Sequence, residues 1–267
     1  MAGACNTSGH ASHNQTQISV ISEMIHVASL MHDDIIDEAR QRRNISTVNN
    51  KWNDKVAVLG GDYVIAKATE KLAKIGCTET ITILSCVIRD LIRGEILQLK
   101  NSMTHQELFD HYINKTFLKT ASLLAHSCQA VTLLSDTPHL QHQAYEYGKN
   151  LGIAFQLVDD MLDFVSTDSS MGKPTGADLE LGLATAPVLY AAEEHPELNA
   201  LIERRFKQPG DSLQALEFVH CSYGIERTRE LAERYCTKAV ESLGELRESE
   251  WKNGLVGVTE VVLSRNS

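Results

Sequence analysis

The chain has 267 residues, of which 43% are hydrophobic and five are proline, a composition typical of one large helix-rich globular domain. Its net charge of −10 argues against nucleic acid and against electrostatic docking on an anionic membrane surface. No run of about eighteen apolar residues occurs, so no transmembrane segment is expected. The cysteines and histidines have no spacing typical of a zinc site or a disulfide framework.

In chain order, residues 1–16 are small and polar and are predicted to form a loop. From residue 18 onwards apolar residues recur at helical spacing, and Gly76, Pro138 and Pro209-Gly210 interrupt the pattern. Helices are predicted at 18–38, 53–75, 78–100, 105–133, 138–166, 182–206, 211–222, 225–248 and 250–264. No alternating β pattern appears, so residues 1–267 are predicted to form one all-α domain, a helical bundle around a central cavity.

Two acidic motifs share the form D-D-x-x-D, at residues 33–37 and 159–163. On a helix, residues four apart lie on one face, so Asp33 points with Asp37 and Asp159 points with Asp163. Like charges at this spacing repel by roughly 0.2–0.5 kcal/mol per pair. Two such motifs should coincide by chance in roughly one chain of this length in five hundred. A solvated acidic face is the alternative, but apolar residues lead into both motifs, which favours a cation-binding interior.

The ligand chemistry of these motifs indicates magnesium. Carboxylate oxygens suit Mg²⁺, which is usually shared between one or two carboxylates and substrate phosphates. Two facing carboxylate clusters therefore suggest a pyrophosphate held through Mg²⁺ between two helices. Basic residues at Arg42, Arg43, Lys119 and Lys173 would complete such a cage, with Thr120 beside Lys119.

With these motifs the chain resembles the trans-isoprenyl diphosphate synthases. The resemblance rests on DDIIDEARQRR (33–43), FQLVDDMLDF (155–164), LGGDYV (59–64), RGEILQL (93–99), KTASLLA (119–125), YGKNLGIAFQ (147–156) and MGKPTGADLELGLATAP (171–187). It covers nearly the whole chain from about residue 20. Within the family, the GLATAP stretch is most similar to the catalytic subunits of mitochondrial solanesyl and decaprenyl diphosphate synthases, which make the ubiquinone side chain.

The resemblance implies a role for each candidate residue. Two or three Mg²⁺ ions would be bound, with the allylic diphosphate, by Asp33, Asp34, Asp37, Asp159, Asp160 and Asp163. Arg42, Lys119 and Lys173 would add positive charge at the leaving diphosphate, with Thr120 and Gln156 as polar donors beside it. His26 and Arg43 would bind isopentenyl diphosphate. The residues expected to take part directly in catalysis are Asp33, Asp37, Asp159, Asp160, Lys119 and Lys173.

Several of these residues also have a simpler interpretation. His26 could be an ordinary core histidine, and Lys119 and Arg43 taken alone could be surface charges. Glu95 and Gln98 are expected to line the cavity or to bond between helices.

Chain length is expected to depend on Ala28 and Ser29, which lie about one turn deeper than Asp33 on the same helix. A bulky aromatic residue there gives short products in this family. Because both residues are small, long products are expected, made by successive condensation of isopentenyl diphosphate onto an allylic diphosphate.

Two departures from the family pattern are present. No GKxxRP-type basic motif occurs in residues 1–32, so the preceding helices are expected to be missing. A second lysine found after GK in many relatives is replaced by Gly182-Leu183. A mitochondrial location is implied by resemblance alone, and a homodimer or a hetero-oligomer with a second synthase subunit is expected. A terpene cyclase, a non-catalytic partner subunit and a shorter-chain geranylgeranyl synthase are the alternatives.

Overall fold

The computed structural model of the protein describes residues 1–42, 44–98, 105–165 and 176–265. Their helices are α1 (Ala2–Cys5), α2 (His13–Ile36), α3 (Val48–Trp52), α4 (Asp54–Ile75), α5 (Thr78–Gln98), α6 (His105–Thr116), α7 (Ser122–Leu133), α8 (Gln141–Val165), α9 (Ala177–Glu180), α10 (Ala186–Glu194), α11 (Leu198–Glu203), α12 (Asp211–His220), α13 (Gly224–Ser242) and α14 (Glu250–Leu263). A π-helical turn (Phe117–Ala121) joins α6 to α7, and a 3-10 turn (Pro138–Leu140) precedes α8. The strands β1 (Gln41–Arg42) and β2 (Ile45–Ser46) pair antiparallel. The all-α prediction is confirmed.

Helix α8 is the central element of the bundle. Side chains on most of its faces are buried, among them Leu157, Met161 and Leu162. One hydrophobic cluster packs α8 against α10 and α13, and a second joins α2, α4, α5 and α7. Each Å² of apolar surface buried in these clusters stabilises the fold by about 25 cal/mol, and this fixes α8 inside the bundle. The second acidic motif, which occupies the last turns of α8, is thereby held against the core, with Asp160 buried.

The prediction that residues 1–16 form a loop is wrong. Residues 2–5 are helical, and α2 begins at His13 rather than at residue 18. Ser12 caps α2 in a reciprocal capping box with Gln15, whose side chain is fully buried and donates to the Val131 carbonyl oxygen at 3.0 Å. The S-x-x-Q pattern was the available signal for this helix start.

The helix predicted at 182–206 is two helices, α10 and α11. Helix α10 begins at Ala186 with Pro187 in its first turn, where proline's missing N–H is harmless. It ends before His195, because the proline at 196 disfavours helical backbone in the residue that precedes it. The β1–β2 hairpin was also not predicted. Helices 54–75, 78–98 and 141–165 agree with the sequence pattern, and 105–133 is continuous apart from its π turn.

None of the helices in the described part of the chain combines the length and apolar character needed to cross a bilayer.

Candidate active site

The candidate site is built around the π-helical turn between α6 and α7. A π turn inserts one residue into a helix and redirects the side chains around it, and such turns are frequent at functional sites. Lys119 lies in this turn and reaches α5, where its Nζ is 2.5 Å from Glu95 Oε1 and donates to Gln98 Oε1 at 3.2 Å. The expectation that Glu95 and Gln98 bond between helices is confirmed.

Three glycines allow the helices to approach the π turn closely. A Cβ on Gly94 of α5 would lie 2.6 Å from Lys119 Cγ, and a Cβ on Gly152 of α8 would lie 2.5 Å from Ala121 Cα. A Cβ on Gly148, one turn earlier, would lie 2.5 Å from the Leu124 carbonyl oxygen. Only glycine fits at these contacts, so α5 and α8 both pack against the backbone of this segment.

The first motif ends α2 and brings Asp33 and Asp37 near Lys119. Burial raises the pKa of Asp33 to about 6; the positive charge of Lys119 opposes this rise, and the negative charge of Glu95 adds to it. Burial also raises the pKa of Asp37, with Lys119 and Glu95 acting in the same directions. These two carboxylates are therefore only partly neutralised, and a further cation beside them would be stabilised.

Asp34, between them in sequence, has a partner of its own. Its side chain is 8% exposed, and its Oδ1 accepts from Nε and Nη2 of Arg42, both at 2.9 Å. Its backbone oxygen accepts from the Ala39 N–H and from Asn49 Nδ2, at 2.8 and 3.2 Å. Arg42 thus joins the β1–β2 hairpin to the end of α2 and is committed to Asp34 in this structure.

The second motif is tied to the π turn through a chain of hydrogen bonds. Thr120 Oγ1 donates to Gln156 Oε1 at 2.9 Å, and Gln156 Nε2 donates to Asp160 Oδ1 at 2.7 Å. Tyr112 of α6 donates its hydroxyl to Asp160 Oδ2 at 2.6 Å. Both oxygens of Asp160, which is only 4% exposed, are therefore occupied. Gly148, Gly152, Gln156 and Asp160 follow one another at four-residue intervals, so one face of α8 makes all these contacts.

The other two aspartates of the second motif differ from each other. The carboxylate of Asp163 accepts from the backbone N–H groups of Ala177 and Asp178, both at 3.1 Å, and so holds the start of α9. Asp159 is half-exposed, and its Oδ1 lies 3.0 Å from Nη2 of Arg265. Asp159 is thus the most accessible carboxylate of this motif.

The remaining predicted residues are placed as follows. His26 is half-buried on α2, about two turns before Asp33, and its backbone oxygen accepts from Ser29 Oγ at 2.9 Å. Ala28 is fully buried and Ser29 half-buried, about one turn below Asp33. Arg43 and Lys173 lie outside the described residues.

Sequence reasoning missed four residues beside the site: Tyr112, Lys115, Asp178 and Arg265. Burial lowers the pKa of Lys115, while Asp160 and Asp178 act in the opposite direction. Burial raises the pKa of Asp178, and the charges of Asp160 and Asp163 raise it further. Lys115 lies one helical turn before Lys119 and Asp178 lies in the 171–187 segment, so both had a weak signal; nothing in the sequence marked Tyr112 or Arg265.

The donor set fits magnesium shared with a substrate. Within the described ranges, no three carboxylate, imidazole or thiolate groups form a ready-made metal cluster. Mg²⁺ commonly takes one or two carboxylates and completes its shell with water and phosphate oxygens. Asp33, Asp37 and Asp159 can supply such oxygens, so this geometry suits an ion that binds together with a diphosphate.

Comparison with known proteins identifies the family. The polyprenyl synthetase family model matches residues 1–219. The chain belongs to this family. The resemblance to trans-isoprenyl diphosphate synthases is thereby confirmed.

Three curated relatives match over nearly the whole chain. Human all trans-polyprenyl-diphosphate synthase PDSS1 is 51% identical over 271 residues, covering 100% of this chain and 65% of the human protein. The probable mitochondrial hexaprenyl pyrophosphate synthase of Neurospora crassa is 45% identical, covering 95% of this chain and 58% of its own. Decaprenyl-diphosphate synthase subunit 1 of Schizosaccharomyces pombe is 44% identical, covering 94% of this chain and 68% of its own. This chain therefore spans about two thirds of the length of these relatives or less.

Solved structures agree on the fold. A Caulobacter crescentus polyprenyl synthase, complexed with calcium and isoprenyl diphosphate, superposes with a TM-score of 0.88 at 29% identity, covering 100% of this chain and 82% of the other. An Arabidopsis medium/long-chain prenyl pyrophosphate synthase superposes with a TM-score of 0.81 at 35% identity, covering 100% of this chain and 87% of the Arabidopsis chain. The isoprenoid-synthase fold is confirmed.

Proposed function

We propose that this chain is the catalytic part of a long-chain all-trans-polyprenyl diphosphate synthase that supplies the ubiquinone side chain. Its reaction would be the magnesium-dependent, successive condensation of isopentenyl diphosphate onto an allylic diphosphate. The observation that carries this proposal is that one π turn lies between the two D-D-x-x-D motifs. The charge of its Lys119 acts on Asp33 and Asp37, and its Thr120 reaches Asp160 through Gln156. The relatives named above support the long-chain class.

Within the site, the aspartates divide into two roles. Asp33, Asp37 and Asp159 would contact the metal directly, because their oxygens are the least committed to protein partners. Asp34, Asp160 and Asp163 complete the six-residue ligand set expected from the family, and each also holds a neighbouring element. When bound, Mg²⁺ would supply Lewis-acid neutralisation of the diphosphate as its C–O bond breaks.

The chain's own residues would stabilise the leaving diphosphate, position both substrates and exclude water from the site. Lys119, with Lys173 and Arg42, would place fixed positive charge at the departing diphosphate, where stabilisation of developing charge lowers the barrier. Thr120 and Gln156 would orient the diphosphate, and His26 and Arg43 would hold isopentenyl diphosphate. The homoallylic double bond forms a C–C bond to the allylic cation, and the proton it loses goes to the departing diphosphate. The apolar walls would exclude water, which would otherwise quench the cation.

Product length would be set one turn below the metal site. Because Ala28 and Ser29 are small, they would leave room for a tail that passes Met24 and Ile25 along α2, whose 24 residues span roughly 36 Å. Products well beyond farnesyl length are expected. Ser29→Phe, on a half-buried position, should shorten them without preventing the first condensations; Ala28→Phe should do the same if the fully buried site accepts it. An unchanged product distribution in a folded Ser29→Phe protein would contradict this length control.

Assembly would use exposed apolar side chains of α4 and α5. Gly76 and Cys77 connect these helices, and four such side chains lie in the halves of the helices remote from that connection: Leu59 and Tyr63 on α4, Ile92 and Ile96 on α5. All four side chains are more than half exposed. A second synthase chain, either a copy or a related subunit, would cover them. Sedimentation should show a smaller species for Leu59→Glu than for Leu213→Glu, which changes an equally exposed leucine on α12; equal masses would contradict this interface.

A mitochondrial location is the last part of the proposal, supported by the Neurospora relative, a probable mitochondrial hexaprenyl pyrophosphate synthase. The test of the whole function is product analysis: the chain, alone and with a candidate partner subunit, is supplied with farnesyl and isopentenyl diphosphates. Long polyprenyl products are expected. Only geranylgeranyl product would favour the shorter-chain alternative, and no product under any condition would favour a non-catalytic subunit.

A further inference from the structure

Arg265, which follows α14, binds Asp159 of the second acidic motif. Its Nη2 lies 3.0 Å from Asp159 Oδ1, and its guanidinium carbon lies 4.5 Å from the centroid of the Phe155 ring. Phe155 and Asp159 are one turn apart on α8, so one guanidinium contacts both. This arrangement combines an ion pair with a cation–π contact.

The docked arginine is incompletely satisfied. Its Nη1 is buried and has no hydrogen-bond partner among the described residues. A buried donor without a partner loses the hydrogen bonds it makes in water, which weakens the docked state. Arg265 is therefore held in a position from which another cation on Asp159 could displace it.

The body of α14 has a separate attachment to α8. Tyr147 of α8 donates its hydroxyl to the Leu255 carbonyl oxygen of α14 at 2.9 Å. A second contact ties α14 to α13, where Cys236 Sγ lies 3.8 Å from the Thr259 carbonyl oxygen. These contacts are independent of Asp159. Val262 of α14 is also buried in the core. Loss of the Arg265 contact would consequently free only the residues after Val262 and leave the helix in place.

We propose that Arg265 is an internal counter-cation of Asp159 that competes with a divalent metal for this carboxylate. Metal binding would release the end of α14 from α8, and docking of that end would weaken metal binding. The inference rests on the proposed function in one respect, that Asp159 is a metal ligand. Because coupling between two binding events is reciprocal, docking weakens metal binding by the same factor by which metal weakens docking, and removing Arg265 should strengthen metal binding by up to that factor.

The test uses Mn²⁺, whose free ion is counted by electron paramagnetic resonance, and the full chain. Arg265→Gln should bind Mn²⁺ about 5-fold more tightly than wild type, within the usual range of such couplings. Lys252→Gln is the matched control, because Lys252 is also on α14 but pairs with Glu248. Hydrogen exchange of residues 263–265 should rise on adding Mn²⁺ to wild type, and should already be high and unresponsive in Arg265→Gln.

The outcomes separate this inference from the proposed function. If Asp159→Asn lowers Mn²⁺ affinity but Arg265→Gln matches wild type in both measurements, the competition is refuted while the metal role of Asp159 stands. If Asp159→Asn leaves Mn²⁺ affinity unchanged, both this inference and the assignment of Asp159 as a ligand fail. Tighter binding in Arg265→Gln together with metal-dependent exchange in wild type supports the competition.

Discussion

The two acidic motifs have the same sequence pattern and lie near the carboxyl ends of their helices, yet their surroundings differ. In the first motif the outer aspartates, Asp33 and Asp37, share a buried region with Lys119, and the middle one pairs with Arg42. In the second motif the last two aspartates are bound to protein donors, and only Asp159 is half-exposed. Asp33 and Asp37 have no side-chain hydrogen bond to a described residue, and Asp159 has only the contact with Arg265; we call these three carboxylates free and the other three anchored.

This difference shows that helical spacing fixes where the carboxylates point but not what they bind. Asp34 and Asp160 occupy equivalent second positions and are both anchored, one by an arginine from a hairpin and the other by Tyr112 and Gln156. Anchored aspartates hold the helix ends in position, and free ones remain available to a cation. The comparison predicts unequal consequences when single aspartates or their partners are changed.

The largest effect on turnover is expected when one of the free carboxylates is replaced by an amide. Asp33→Asn or Asp159→Asn should lower turnover by about 10³-fold or more, because each removes a charge that acts mainly in the transition state. Asp110→Asn, which changes an exposed aspartate of α6, is the control and should be active. Steady-state kinetics at saturating Mg²⁺ measure this, and near-normal turnover in either free-carboxylate variant would exclude it from the metal site.

The next largest effect is a loss of stability when a side chain is added at the glycine contacts that position the second motif. Gly152→Ala should destabilise the fold by about 1–3 kcal/mol, because its Cβ would overlap the Ala121 backbone. Gly254→Ala is the matched control on α14: a Cβ added there would meet no packed neighbour within 4 Å, so it should stabilise by about 0.5–1 kcal/mol. Urea unfolding of both variants gives the free energies. Equal stability of the two variants would mean that α8 can move away from the π turn at little cost.

A smaller effect is expected when one anchor of Asp160 is removed. Tyr112→Phe deletes the hydroxyl that donates to Asp160 Oδ2 and leaves that buried oxygen without its partner. The loss of about 1–1.5 kcal/mol should appear as roughly a 10-fold decrease in kcat, with little change in KM. Tyr223→Phe, at a largely exposed tyrosine, is the control. A decrease as large as that of Asp33→Asn would show that anchored and free carboxylates do not differ in role.

Much of the fold followed from the sequence because helical periodicity is a local signal. The helices of the bundle, the positions of both motifs and the bonding of Glu95 and Gln98 to another helix agree with expectation. What failed was governed by single residues: the capping box at Ser12, the helix end before Pro196 and the π turn. The π turn depends on close packing at Gly94 and Gly152, which periodicity does not report.

Within the site, residue types were predictable but partners were not. Asp34 and Arg42 are eight residues apart, and the hairpin that joins them had no β pattern to mark it. Tyr112 and Arg265 reach the second motif from 48 and 106 residues away in sequence. Such long-range contacts depend on how whole helices pack, which no local pattern encodes.

The smallest expected effect is on stability in the absence of metal, and it is opposite in sign for the two kinds of aspartate. Burial raises the pKa of Asp33 from its ordinary 3.8 to about 6, so between these values the folded state binds more protons than the unfolded state. Stability therefore falls as pH rises through this range. Above it, Asp33→Asn removes an unfavourable buried charge and should stabilise the metal-free protein by about 1 kcal/mol, less than the full shift implies because the group is partly solvated.

Asp34→Asn is the matched comparison, since it removes the charge that pairs with Arg42 and leaves a buried amide in its place. It should destabilise the same metal-free protein. Thermal unfolding in EDTA at pH 5 and pH 8 would measure both: Asp33→Asn should raise the Tm by more at pH 8 than at pH 5, because pH 5 lies between 3.8 and about 6, where only part of this stability has been lost. If both substitutions instead lower the Tm at pH 8, Asp33 is as well satisfied by protein partners as Asp34, and the division into free and anchored carboxylates is wrong.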